Sequence, residues 1–121
     1  MKSREIGNIG EQAVCNYLAK NGYEILKRNF TVKGGEIDII AKKNDTICFV
    51  EVKTRKLSAL SSGEEALTET KRKHIIYAAK RFLSTLSVLP MCRFDVAVVE
   101  MKNEKVIKLK YYVNAFDTSH R

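Results

Sequence analysis

The chain has 121 residues, 45% hydrophobic and 30% charged, and carries a formal net charge of +8 from 22 basic and 14 acidic side chains. That length supports one core and one domain across residues 1–121, and the composition excludes a disordered chain. No apolar run approaches the roughly 18 residues of a membrane span, and the basic excess favours an anionic partner, nucleic acid being the commonest.

The opening "MKSREIGNIGEQ" lacks the apolar centre of a signal peptide, so a cytoplasmic protein is expected. Residues 4–21 put Ile6, Ala13, Val14, Tyr17 and Leu18 on one helical face, and Gly22 follows as a stop. "YEILKRNFTV" reads as a strand ending at Gly34-Gly35, and "EIDIIAK" and "TICFVEVKT" as a hairpin around Asn44-Asp45. Residues 56–63 read as a loop, the segment expected to be most mobile. A helix is expected over 64–87, with Ser62 and Glu65 at capping-box spacing and Thr68 as a competing N-cap. Pro90 closes that region. "CRFDVAVVE" suits a strand buried on both faces, and "KVIKLKYYV" a last strand at a sheet edge. The order α-β-β-β-α-β-β implies an α/β fold with a mixed sheet of about five strands, the second helix being the crossover. Cys15, Cys48 and Cys92 are far apart with no metal-ligand spacing and are read as small core residues. Asp95 is read as structural, paired with Arg93 or a loop amide.

Glu36, Asp38, Glu51 and Lys53 interrupt the two hairpin strands. Strand alternation puts Glu36 and Asp38 on one face with Ile37 and Ile39 on the other, and pairs Glu51 with Lys53. One reading is a solvated hairpin face with cross-strand ion pairs. Against it, "IDII" and "CFVEV" are too apolar for an exposed hairpin, and three carboxylates outnumber one lysine. The other reading is a Mg²⁺ or Mn²⁺ site. Such ions take hard oxygen ligands, commonly one or two carboxylates with waters and phosphate oxygens. Asp38, Glu51 and the Val52 carbonyl would supply them, and Lys53 would steady an attacking hydroxide or a developing phosphate charge.

Two helical residues point the same way. Glu11 lies at the rim of the first apolar stripe, where it either reaches over the sheet or is simply solvated. Lys71 falls near the centre of a stripe marked by Leu67, Ile75, Ala78 and Phe82, so it needs a polar partner unless the stripe starts after it. Arg55, Lys56, Arg72 and Lys73 would grip a phosphate backbone, the alternative being a solvated helix face.

An acid on one strand, a turn, then Glu-x-Lys resembles the PD-(D/E)XK nuclease superfamily, here as Asp38 and Glu51-Val52-Lys53. "GEQAVCNYLAKNGYEILKRNF", "GGEIDIIAKKNDTICFVEVKTR", "ALTETKRKHIIYAA", "RFDVAVV" and "NAF" resemble the YraN-type family of small uncharacterised bacterial proteins. The resemblance spans Gly10 to Phe116. It implies a restriction-endonuclease-like core, similar to Holliday-junction resolvases, and a metal-dependent DNA endonuclease acting on branched or repair intermediates. By that resemblance Glu11 is the N-terminal-helix acid, Asp38 and Glu51 bind metal, and Lys53 is the catalytic lysine. Lys71 is the lysine early in the second helix. Glu36 belongs to the family's own "GEID". "TETK" departs from the family pattern by lacking a proline before Lys71, which bears on the helix start. Symmetric cutting of two strands would favour a homodimer. The rival readings are a nucleic-acid-binding or scaffold protein that keeps the fold without turnover, and an interaction module pairing through its last strand.

Overall fold

A computed structural model describes residues 3–57 and 67–117. Helix α1 (Ser3–Lys20) precedes strands β1 (Glu24–Val32), β2 (Gly35–Lys43) and β3 (Thr46–Lys56), then helix α2 (Glu69–Leu83) and strands β4 (Met91–Lys102) and β5 (Lys105–Phe116). The sheet order is β1-β2-β3-β4-β5. Every neighbouring pair is antiparallel except β3–β4, which is parallel, so α2 lies in the crossover that a parallel pair requires. The expected α/β fold, a mixed five-stranded sheet in the order α-β-β-β-α-β-β, is what the chain adopts. The Asn44-Asp45 turn and the edge position of β5 are as expected too.

The sheet is covered on both sides because its central strands are apolar on both. Val14 and Leu18 of α1 pack on Ile39, Val50, Ala97 and Val99. Ile75, Ala78 and Phe82 of α2 pack on Ile37, Ile40, Phe49 and Phe94. β4 is buried from Phe94 through Met101, which explains its unbroken apolar run.

Three expectations need correcting. First, the second helix spans 69–83 and not 64–87 within the described residues. Thr68 is the N-cap, its hydroxyl accepting from the Lys71 N–H at 3.1 Å, which also answers the missing proline. Ser84 and Thr85 hydroxyls donate to the carbonyls of Arg81 and Phe82 at 2.7 Å each, ending the ladder early. Ser62, Glu65 and the loop over 58–63 lie outside the described residues, while Lys56 is the last residue of β3. Secondly, Cys15 and Cys48 are buried but Cys92 is exposed, because it sits beside the exposed Met91 where β4 has not yet entered the core.

Thirdly, Ile37 and Ile39 do not share a face. Ile37 belongs to the α2 layer and Ile39 to the α1 layer. The switch falls at Asp38, across from Asn29, which has a left-handed φ of 52° and stands between the pairs Arg28↔Ile39 and Phe30↔Ile37. Strict alternation fails where one residue of the partner strand leaves the extended region.

Gly35 lets α2 approach β2. A Cβ there would collide with the His74 carbonyl oxygen and lie 3.1 Å from the Ala78 Cβ. Because the obstacle is helix backbone, Gly35→Ala is expected to destabilise the protein by about 1–3 kcal/mol, read from a urea melt. An unchanged midpoint would mean that α2 shifts freely.

Candidate functional site

The β2–β3 ladder runs from Lys43↔Thr46 to Ile39↔Val50. Beyond it β2 continues in pairing with β1, and β3 with β4, so the sheet forks between Asp38 and Val52. There the Asp38 carboxylate takes a main-chain donor: the Val52 N–H donates to Asp38 Oδ2 at 2.8 Å. The face switch at Asp38 and the fork are one event, which leaves this carboxylate accessible from both layers.

Glu51, next on β3, falls on the α2 side with Phe49 by alternation and is only 3% exposed. Its carboxylate meets Lys71 Nζ at 2.8 Å. Burial pushes the Glu51 carboxyl up to about 7, the Asp38 charge adds to this, and Lys71 opposes it. Hydrogen bonding to Glu51 raises the Lys71 ammonium, which stays charged. From the other layer, burial and then Asp38 raise the Glu11 carboxyl. Glu11 lies 3.7 Å from Arg28 Nη2, and its Oε1 is buried with no hydrogen-bond partner. Arg28 Nη1 in turn donates to Gln12 Oε1 at 3.0 Å, and Gln12 Nε2 to Asn16 Oδ1 at 2.9 Å. Gly10 brings α1 close: a Cβ there would strike the Thr54 hydroxyl and stand 3.2 Å from its Cβ.

A cleft of about 890 Å³ runs from this fork along β3 to the turn between β4 and β5. Glu11, Glu36, Asp38, Glu51, Val52, Arg55, Lys56 and Lys71 all line it. The structure therefore brings together eight of the positions singled out in the sequence. The other three lie elsewhere. Lys53 is half-buried on β3, two residues on from Glu51, and is not among the cleft's lining residues. Arg72 donates to the Leu67 carbonyl at 2.7 Å, and the exposed Lys73 faces Glu69 at 3.7 Å. Arg55, though in the cleft, is 3.5 Å from the buried Glu100 across the β3–β4 ladder.

Sequence reasoning missed Arg28, which holds Glu11, and Glu100, which holds Arg55. A glutamate closing the apolar run "DVAVVE" was a usable signal for the second, since a buried acid needs a cation. Arg28 carried no signal, because its contact depends on the backbone switch at Asn29.

Among the described residues no group of three or more His, Cys, Asp or Glu side chains is gathered as a metal cage. The fork nevertheless offers hard oxygens from Asp38, Glu51 and the Val52 carbonyl. An incomplete set of this kind suits Mg²⁺, which keeps several waters and takes substrate phosphate oxygens as further ligands.

Fold and cleft together define a small α/β protein with a cluster of carboxylates around the buried Glu51 and a half-exposed lysine at a fork in a mixed sheet. Residues 10–99 match the model of uncharacterised protein family UPF0102, and the chain belongs to that family. It is 47% identical to a UPF0102 protein of Caldicellulosiruptor saccharolyticus over 96% of this chain and 100% of the relative. It is 44% identical to one of Chlorobium phaeobacteroides over 92% of each chain. For one of Dictyoglomus thermophilum the identity is 38%, over 96% of this chain and 100% of the relative. No helix among the described residues is long and apolar enough to cross a membrane.

Proposed function

We propose that this protein is a Mg²⁺- or Mn²⁺-dependent DNA endonuclease with a restriction-endonuclease-like core, hydrolysing phosphodiester bonds in branched or repair intermediates. The observation that carries the reading is the meeting of Glu11, Asp38 and Glu51 from three elements in one cleft, with Glu51 pushed up to about 7. Like charges held together at that cost are a mark of functional sites.

In this reading Asp38, Glu51 and the Val52 carbonyl hold the metal, with Glu36 beside them. Bound there, the ion supplies Lewis-acid polarisation of a phosphoryl oxygen and a lowered pKa for water. Glu11 orients the attacking water through Oε1, which is ion-paired with Arg28 but accepts no hydrogen bond. Lys71 neutralises Glu51 and faces the scissile phosphate. Lys53 enters from the α2 side of β3, where its ammonium stabilises charge on the leaving oxygen. Arg55 and Lys56 meet the neighbouring backbone.

The second reading, a nucleic-acid-binding or scaffold protein without turnover, draws on the Glu51–Lys71 pair, which already satisfies one carboxylate. One experiment separates them. Single-stranded, duplex, flap and four-way-junction DNA are incubated in Mg²⁺, Mn²⁺ or chelator with wild type and Asp38→Asn. Metal-dependent cutting that vanishes in the variant is expected. Binding that ignores metal and mutation, with no product on any substrate, sinks the nuclease reading and favours the second.

A further inference from the structure

We infer that the cleft receives one unpaired nucleic-acid strand laid along the second half of β3, with Lys56 and Lys102 as phosphate contacts at its far end. The position of the strand's reacting end rests on the proposed nuclease reading, whereas its path does not.

The cleft is elongated and has two electrostatic ends. One is the carboxylate fork. The other is the turn between β4 and β5, where Lys56 and Lys102 both line the cleft. Lys56 is the Cα partner of Met101, the neighbour of Lys102, and the Leu57 N–H donates to the Met101 carbonyl at 2.8 Å, so the backbone fixes both lysines at this end of the β3–β4 ladder, on opposite faces by alternation. Arg55 is paired with the buried Glu100, so among the described residues Lys56 and Lys102 are the exposed cations that line this end. Glu104, beyond them, is already engaged.

Lys56 lies five positions along β3 from Glu51, roughly 17 Å at a rise of about 3.3 Å per residue. That distance exceeds one nucleotide and matches a short run of backbone.

The lining also selects the form of the strand. Ile6, Val52 and Met101 give the cleft an apolar wall between its charged ends. A duplex keeps its base faces stacked inside and would present phosphates, sugars and base edges to such a wall. An unpaired strand can lay its bases there, and contact between bases and side chains is the usual complement to a charged groove. A cleft of about 890 Å³ is of the size that engulfs a compact ligand.

The test uses the full chain carrying Asp38→Asn, in chelator, so that neither metal nor turnover enters. Fluorescence anisotropy compares a short labelled single strand with the same sequence as a blunt duplex, across a salt series. Adding Lys56→Ala and Lys102→Ala should weaken single-strand binding about 10-fold or more. It should also lower the salt slope by roughly 1.4, at about 0.7 per phosphate contact. The pair Lys27→Ala and Lys42→Ala, away from the cleft, should leave both unchanged. Equal loss from the control pair, no loss from the cleft pair, or a duplex bound as tightly as the single strand would each overturn the proposal. Because this is a binding measurement, failure to cleave any substrate would sink the nuclease reading and leave this inference standing.

Discussion

Glu51→Gln is expected to melt at a higher temperature than wild type in chelator and, on the proposed nuclease reading, to lose cleavage by about three orders of magnitude or more. The two effects have one cause. Glu51 is nearly fully buried beside a second carboxylate, and burial with the Asp38 charge lifts its carboxyl from 4.5 to about 7. The folded state thus binds this proton more tightly than the unfolded chain. Its contribution to stability therefore falls as pH rises from about 4.5 to about 7, and the full penalty applies above that. Glutamine keeps the shape and removes the charge. It also removes a salt bridge to Lys71, whose side chain is 51% exposed and readily rehydrated. Relief of a buried charge outweighs loss of a half-exposed pair. A gain of about 1 kcal/mol moves the midpoint of a domain this size by about 4 °C. The gap between variant and wild type should be widest above about pH 7 and close near pH 4.5. A variant that melts lower than wild type at neutral pH would show that the Lys71 pair is net stabilising and that the fork is not strained by its charge. Mg²⁺ should raise the wild-type midpoint and leave that of Glu51→Gln nearly unmoved, since an ion that binds only the folded state stabilises in proportion to its occupancy.

The meeting of the two carboxylates was legible in residues 34–55. A hairpin with a two-residue Asn-Asp turn fixes register, so Asp38 and Glu51 had to emerge near each other at the end away from the turn. Lys71 was legible because a lysine inside an apolar stripe needs a counter-charge, and Glu51 supplies it at 2.8 Å. The face switch at Asp38 was not legible. It depends on Asn29 taking a left-handed φ on another strand, and period-two alternation has no term for a neighbour's backbone. The short α2 was half legible. Thr68 was visible as a cap, but the hydroxyls of Ser84 and Thr85 compete for the final carbonyls in a way helical periodicity does not register. Arg72 and Lys73 show the limit of counting charges: one holds a loop carbonyl and the other pairs with Glu69 on the exposed helix face.

Asp95→Ala should be the most destabilising single change in the described chain outside the apolar core, at about 3–5 kcal/mol. Asp95 is fully buried one position along β4 from Phe94, as the Cα partner of Val50 next to Glu51 on β3. Its oxygens accept from Arg93 Nε and Nη2 at 2.9 Å each, from the Tyr111 hydroxyl, and from the Asn114 N–H at 2.8 Å. Arg93 Nη2 also donates to the Tyr23 hydroxyl at 2.7 Å, so one carboxylate joins the start of β1 to β4 and β5. Asn114 has a left-handed φ of 55°, and the β4–β5 register shifts between Phe94 and Val96. The carboxylate takes the amide that this bulge withdraws from the ladder. Hydrogen bonding to Asp95 raises Arg93, and burial followed by Asp95 raises Tyr111, so both remain protonated donors. Alanine would orphan several donors at once around a void, and each buried orphan is costly. A fall in Tm of more than about 10 °C is expected. Asp95→Asn keeps an acceptor for part of the set and should lose less. On the proposed nuclease reading, cleavage per folded molecule should be unchanged by either variant at low temperature, since Asp95 does not line the cleft. A drop in Tm of only a degree or two for Asp95→Ala would mean that water replaces the carboxylate and that the bulge in β5 is held by its tyrosines instead.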